Sequence, residues 1–351
     1  MVGIDLFAGA GGMALGAIEA GIDVRLAIES DPHSAETYAR NHPGVRLLVR
    51  DIRNIDEIDI GEKFNRTIVF GGPPCQGFST SNQRTRDYAN PSNWLFLEFI
   101  RVINLCKPEW VVIENVKGIS ETKQGFFLKN IIDRLSSCGY AISWWVLNAA
   151  DFGVPQRRHR LFLVGSLKGL KLDKPDPTIS KYITVNEALS DLPELQNGSS
   201  VNWRPYKYEP LSEYAVEMRG NLDKSANHLV TRNAPYVIER YMHIPQGGNW
   251  QSIPAKLMRN YSNLDKCHTG IYHRLRENAP SLVIGNFRKN MLIHPNEHRG
   301  LSVREAARLQ SFPDWYEFKG SIGFQQQQVG NAVPPLLAKA VFQAIIRNNY
   351  N

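Results

Sequence analysis

Short apolar runs alternate with stretches of helical period through the first half of the chain. Residues 2–7, 25–29, 45–48, 67–70, 110–114, 142–147 and 160–164 are each four to six residues long and rich in apolar side chains, as buried strands are. Between them, residues 13–20, 94–106 and 125–137 repeat apolar positions at helical spacing, and Asp31-Pro32 has the form of an N-cap with proline at the first helical position. This alternation predicts an α/β fold, a doubly wound parallel sheet covered on both faces. Beyond about residue 170 it stops. Pro, Asn, Tyr and Trp crowd segments such as Asn202-Trp203-Arg204-Pro205-Tyr206, and a second, smaller module is expected there. Helical order returns at Ser302-Val303-Arg304-Glu305, spaced as a capping box ahead of residues 306–310, and a last helix is expected after Pro334-Pro335, running towards Ile346. No fixed-period repeat is visible, and the glutamines at 325–328 form the one low-complexity stretch.

Composition narrows the class. With 351 residues, 42% hydrophobic and 21% charged, the chain can bury a core without disulfides and is not disordered as a whole. The 41 basic against 34 acidic side chains leave a net charge of +7, a bias towards a polyanionic partner. The apolar runs are strand-sized, so no membrane span is expected, and the start Met1-Val2-Gly3-Ile4-Asp5 lacks the basic region and cleavage site of a secretory signal. The cytoplasm is the expected compartment. Cysteines at 75, 106, 138 and 267 stand far apart with no C-x-x-C pair, which disfavours a metal site and a disulfide framework.

Several segments could carry chemistry. Asp5-Leu6-Phe7-Ala8-Gly9-Ala10-Gly11-Gly12 ends a strand and opens a helix, where glycines let the backbone turn beneath a nucleotide-like group. Its register departs from the G-x-G-x-x-G of pyrophosphate binders, and Asp5 would repel a phosphate, so an adenosine with a sulfonium tail is the better guest. Glu29 and Asp51, at the ends of the next strands, stand where ribose hydroxyls and an adenine amino group could be bound; the plainer reading is a helix-flanking acid and a surface acid. Gly71-Gly72-Pro73-Pro74-Cys75-Gln76-Gly77-Phe78-Ser79 follows another strand and would present Cys75 at the carboxyl edge of the sheet, a poor setting for core packing and a good one for a fixed nucleophile. Cys106, Cys138 and Cys267 are read as inert. Glu114-Asn115-Val116 brings a carboxylate to the same edge, unless it only caps a helix. Gln156-Arg157-Arg158-His159-Arg160 is a cationic turn, either solvated or holding an anion.

Taken in order, these segments resemble the DNA (cytosine-5) methyltransferases of bacterial restriction-modification systems. The likeness runs through Asp5–Gly12 as the first cofactor motif, Gly71–Gln76 as the nucleophile loop, Glu114-Asn115-Val116 as the proton-donor motif and Gln156–Arg160 as the Q-R-x-R segment. It continues through Arg304–Pro313 as the late helix motif and Gly330-Asn331-Ala332-Val333-Pro334 as the final one. Amino-methylating enzymes, whose Asp/Asn-Pro-Pro loop ends in an aromatic residue, are disfavoured because Cys75 stands there.

The resemblance implies a methyltransferase that takes S-adenosylmethionine as cofactor and methylates carbon 5 of a cytosine swung out of duplex DNA. It assigns catalysis to Cys75, Glu114, Arg158 and Arg160, with Cys75 adding to carbon 6, Glu114 serving ring nitrogen 3, and the arginines holding the base oxygen and phosphate. It assigns the cofactor to Asp5, Phe7, Ala8, Gly9, Gly11, Gly12, Glu29, Asp51, Ile52, Pro73, Asn331 and Ala332. DNA contacts are expected from Ser79, Arg84 and Arg86 on a closing loop and from Gln246, Gly247, Arg274, Arg276, Arg288 and Lys289. The last four belong to a stretch, residues 256–289, with seven basic side chains and two acids. A solvated basic face is the alternative there. At Pro280-Ser281-Leu282-Val283 the chain departs from the Thr that many relatives carry, so base contacts are not transferred to it.

A catalytic domain over residues 1–180 and 320–351, a target-recognition domain over 181–300 and a connection over 301–319 follow from this likeness. No metal is expected. The expected partners are duplex DNA and a cognate restriction endonuclease sharing the site without a stable complex; a monomer and a bacterial or phage source are also expected. Three rivals remain: a catalytically silent DNA-binding accessory subunit, a transfer-RNA cytosine-5 methyltransferase, and, from the glycine loop alone, a nicotinamide-dependent dehydrogenase.

Overall fold

The apolar runs of the first half pair into one seven-stranded sheet. The computed structural model describes residues 1–61, 66–74, 94–261, 270–285, 287–289 and 291–349. Its strands are β1 (Val2–Leu6), β2 (Asp23–Glu29), β3 (Arg46–Val49), β4 (Thr67–Gly71), β5 (Trp110–Val116), β6 (Ala141–Asn148) and β7 (His159–Ser166), in the order β3-β2-β1-β4-β5-β7-β6. The strands from β3 to β5 are parallel, as expected. β7 is not: it inserts antiparallel between β5 and β6. The link from β6 holds one 3-10 turn, Ala149–Phe152, and is too short for the helical crossover that a parallel return requires.

Helices α1 (Gly12–Glu19), α2 (Pro32–Asn41), α3 (Phe96–Cys106), α4 (Gly118–Glu121) and α5 (Phe126–Ser137) belong to the same unit as the sheet. Asp31 caps α2 through Ser34 N–H at 3.0 Å with Pro32 at its start, as its sequence predicts. Beneath the helices lies a core that includes Ile4, Leu6, Val69, Phe99, Val111, Ile113 and Leu163, each at most 1% exposed. Burial of this kind contributes roughly 1.5–3 kcal/mol for each large apolar side chain.

Two compact units divide the chain. The first holds Met1–Phe152, His159–Thr178 and Pro335–Asn351, and the second Gly153–Arg158 and Ile179–Pro334. Two of these boundaries differ from the expected ones. Gly153–Arg158 joins the second unit because Gln156 bonds there to Leu309 O, Gln310 and Ile284 N at 2.8–3.1 Å. The return to the first unit comes at Pro335 rather than at residue 320.

The second unit contains α6 (Val185–Leu189), α7 (Glu213–Arg219), α8 (Pro235–Met242), α9 (Val303–Leu309) and α10 (Ile322–Asn331), with the short ladder β8 (Arg204–Pro205) to β9 (Lys224–Ser225). Residues 301–319, expected as a connection, form its buried centre. Ser302 and Glu305 make the capping box that the sequence predicts, and every residue of α9 is buried. Arg308 is bound between Asp191 (2.8 Å) and Asp314 (2.6 Å), all three without solvent contact. Such a cluster tolerates burial only because each charge has partners.

The first unit is completed by α11 (Pro335–Asn349), which packs on α1: Lys339 meets Glu19 at 3.3 Å, and Phe342 meets Phe70 of β4 edge to face at 5.0 Å. The stretch Ile322–Asn348 has the length and hydropathy of a membrane span, contrary to the strand-sized runs expected. It is broken at Ala332 between α10 and α11, and 61% of its apolar window is buried within protein, as in core helices.

Candidate active site

The glycine loop follows β1, and its conformation explains its composition. Phe7, Gly9 and Gly11 have positive φ, at 56°, 55° and 85°. Glycine adopts this region freely, whereas Phe7 is held there against a steric cost of about 1–2 kcal/mol. Gly11 is the N-cap of α1, and its N–H donates to Ala8 O at 3.0 Å. Glu29, at the end of β2, fixes the loop from the side. Its Oε2 accepts Gly9 N–H at 2.7 Å, and its Oε1 accepts Ser30 N–H at 2.8 Å and Asp31 N–H at 2.7 Å. Asp51, just past β3, caps the 3-10 turn Ile52–Asn54 and is gripped by Arg53, with Nη2 donating to Oδ2 at 2.6 Å and Nε to Oδ1 at 3.0 Å. These bonds pull the Asp51 carboxyl down to about 2.

Phe7, Ile28, Glu29, Ser30, Arg50, Asp51, Ile52, Pro74 and Leu95 line an open cleft. Four of the sequence candidates, Phe7, Glu29, Asp51 and Ile52, thus meet on its walls. Ile28, Ser30, Arg50, Pro74 and Leu95 were not among the candidates: Ile28, Pro74 and Leu95 lie within the recognised strand, double-proline loop and helix, while Ser30 and Arg50 adjoin Glu29 and Asp51, and that proximity was the available signal. Asp5 lies below the loop, 1% exposed, and its Oδ2 has no hydrogen-bond partner. Burial, reinforced by Glu29, pushes this carboxyl well above the ordinary range, against a smaller opposing effect of the Tyr38 hydroxyl. Asn331 and Ala332 belong to the second unit, where Asn331 ends α10 and the Ala332 carbonyl accepts from Arg158.

The double-proline turn begins at the end of β4. A Cβ on Gly71 would stand 1.9 Å from Leu6 O, a backbone atom that cannot yield, so glycine is required there; one on Gly72 would stand 2.9 Å from Glu114 Oε2, at the end of a side chain. Asn115 Nδ2 donates to Pro73 O at 3.2 Å and anchors the turn from β5. Glu114 pairs with Arg160 across the β5–β7 ladder, Nε to Oε1 at 2.8 Å, both side chains nearly buried at 11% and 13% exposure. Burial lowers the pKa of Arg160, and Glu114 opposes that shift. Cys75, Ser79, Arg84 and Arg86 lie outside the described residues.

The remaining cations divide by burial. Arg158, expected to be catalytic, is 1% exposed and donates to the carbonyls of Ile284, Gly330 and Ala332 at 3.0–3.2 Å. Its guanidinium braces three segments of the second unit and is not available to a base or phosphate. Arg274, expected on DNA, is corrected in the same way: it is 3% exposed and donates to the carbonyls of Tyr241, Ile244, His294 and Glu297 at 2.6–2.8 Å. Arg276, Arg288 and Lys289 are exposed, and Arg276 lies against Gly247, where a Cβ would meet its Nε at 2.1 Å. Gln246 bonds to Asn296 and to Glu277 N–H. His294, Glu297 and Glu305 approach within 4.8 Å of one another, but Arg299 occupies both carboxylates at 2.7–2.9 Å.

Comparison with known proteins covers the whole chain. The sequence pattern of the family described as C-5 cytosine-specific DNA methylase matches residues 1–347. The chain is 36% identical to the Type II methyltransferase M1.HphI of Haemophilus parahaemolyticus, over 99% of its own length and 87% of that protein's. It is 35% identical to M.DdeI of Desulfomicrobium norvegicum, over 97% and 88%. Among solved structures, a putative DNA modification methyltransferase encoded within an E. coli prophage superposes with a TM-score of 0.79 at 27% identity, covering both chains fully. The Dnmt2 methyltransferase of S. pombe shares the fold, with a TM-score of 0.61 at 18% identity.

Proposed function

The chain belongs to the C-5 cytosine-specific DNA methylases, and from that premise we propose that it methylates carbon 5 of an extrahelical cytosine in duplex DNA, with S-adenosylmethionine as donor and a transient bond from Cys75 to carbon 6. One observation carries the reading. The turn Gly72-Pro73-Pro74 touches Glu114 at its start and lines the cleft with Pro74, the residue before Cys75. The same short segment therefore adjoins the proton-handling carboxylate, the cofactor candidate site and the nucleophile.

The cleft suits the cofactor by the chemistry of its donor set. A carboxylate has about four acceptor sites, so Glu29 can take one ribose hydroxyl beside the three backbone N–H groups from which it already accepts. Asp51 offers an acceptor to an adenine amino group, and Phe7 and Leu95 offer apolar surface to its ring. The orphaned Asp5 Oδ2 marks a buried polar atom with no partner below the loop. When bound, S-adenosylmethionine supplies an electrophilic methyl group.

Carbon 5 of cytosine is a weak nucleophile within an aromatic ring. A thiolate from Cys75 adding at carbon 6 makes carbon 5 enamine-like and splits a hard step into easier ones. Glu114 holds a proton at ring nitrogen 3 to neutralise the charge that builds there, and Arg160 orients Glu114 while supplying a cation for the base's carbonyl oxygen. After transfer, loss of the carbon 5 proton and departure of Cys75 restore the ring. The chain acts as a monomer in the cytoplasm of a bacterial or phage-bearing cell, beside an endonuclease of the same site specificity.

Incubation with methyl-labelled cofactor and either duplex DNA or total RNA tests the reading. Label in DNA, placed at carbon 5 by bisulfite sequencing and lost in Cys75→Ser, supports it. Label only in RNA moves the protein to transfer RNA, and no label in either makes it an accessory subunit. Full activity of Cys75→Ser removes the assigned nucleophile.

A further inference from the structure

Two walls of the cleft come from segments far apart in sequence: Arg50-Asp51-Ile52 after β3, and Leu95 at the start of α3. A single side chain spans them. Arg101, on the second turn of α3, donates Nη2 to Ile52 O and Nη1 to Ile55 O, both at 2.7 Å. Its Nε donates to Glu98 Oε2 at 2.7 Å, one turn back on the same helix, and this third bond aims the guanidinium fork at the two carbonyls. The carbonyls belong to the first residue and the C-cap of the 3-10 turn whose N-cap is Asp51. Leu95 lies six residues before Arg101, about 9 Å along the helix axis.

We propose that Arg101 is a positioning residue for the cofactor cleft, holding the Asp51–Ile52 wall against the start of α3 so that both walls meet the adenosine together. The proposal rests on the reading of the cleft as the S-adenosylmethionine site. The side chains of Ile52 and Ile55, 4% and 3% exposed, already anchor the segment in the core. Arg101 adds direction to its backbone more than attachment. Loss of the fork should therefore loosen the wall without unfolding the unit, and affinity should respond before stability does. A lysine cannot replace it, since an ammonium lacks the planar fork that reaches two carbonyls at once.

Calorimetric titration of the full-length protein with S-adenosylhomocysteine, beside methyl-transfer kinetics, decides the matter. Arg101→Met should weaken binding roughly tenfold and raise KM for S-adenosylmethionine in parallel, with kcat at saturating cofactor within about twofold of the parent. Arg101→Lys, which keeps charge and bulk, should lose roughly threefold and serves as the measurement if the methionine variant does not fold. Glu98→Gln, whose amide oxygen still accepts from Nε and keeps the fork aimed at both carbonyls, should stay within about twofold. Parent-like affinity in Arg101→Met, or in Arg101→Lys if only that variant folds, overturns the proposal; so does a fall in kcat at unchanged affinity. Failure of the parent protein itself to bind removes the cofactor reading instead, and the role of Arg101 with it.

Discussion

Replacing Gly16 by alanine adds one methyl group where α1 lies against α11, and two effects of opposite sign compete. A Cβ there would stand 2.5 Å from Pro335 O, 2.6 Å from Ala338 Cβ and 2.7 Å from Lys339 N. The first is about 0.9 Å inside the 3.4 Å at which ordinary contact begins. The crowding atoms are backbone and a Cβ, so no flexible side chain can yield and the helices must part. Overpacking of this kind costs roughly 1–3 kcal/mol, while alanine gains about 1 kcal/mol over glycine inside a helix. Crowding by three atoms should place the cost at the upper end, leaving a net loss of about 2 kcal/mol and a melting temperature lower by roughly 4–8 °C. Because α1 carries Gly11 and Gly12 at its N-terminus, its displacement should also weaken binding of S-adenosylhomocysteine. Thermal unfolding and calorimetric titration of Gly16→Ala measure both. A variant that melts higher than the parent with unchanged affinity shows the propensity gain alone, and refutes the packing of α11 on the glycine-loop helix.

Two further outcomes follow from the buried titratable and charged groups. Burial lowers His42 to about 4 and His228 to about 3, both below the 6.5 of a free histidine, so their contribution to stability is present above pH 6.5 and lost as pH falls towards those values. Each should remove roughly 1 kcal/mol between pH 7.5 and 5.5; denaturant unfolding at the two pH values should show the loss, His42→Gln should reduce it, and a flat profile would contradict the buried neutral rings. Arg158→Met should leave three buried carbonyls without their donor and cost about 3 kcal/mol or more of stability. In contrast, a normal melting temperature with abolished turnover would return Arg158 to the reacting groups.

What the sequence could show was decided by how local each constraint is. The glycine loop was legible because positive φ at Gly9 and Gly11 admits almost no other residue, and the double-proline turn because the approach of Leu6 O to Gly71 does the same. Glu29 and Asp51 were legible as acids at the ends of β2 and β3, the edge at which α/β sheets bind ligands. The direction of β7 was not, since an apolar run reads alike in either sense and only the short link from β6 forces the antiparallel return. The arginines show the limit most clearly. Arg274 and Arg288 look equivalent in a basic stretch, yet one is enclosed by carbonyls from Tyr241 to Glu297 and the other is exposed. Arg158 likewise finds its acceptors 126 to 174 residues away. Whether a cation braces the fold or faces a phosphate depends on carbonyls that distant segments leave unpaired. The charge count over residues 256–289 therefore exceeds the charge available to DNA, and Lys256, Arg259, Arg276, Arg288 and Lys289 are the exposed cations among its described residues.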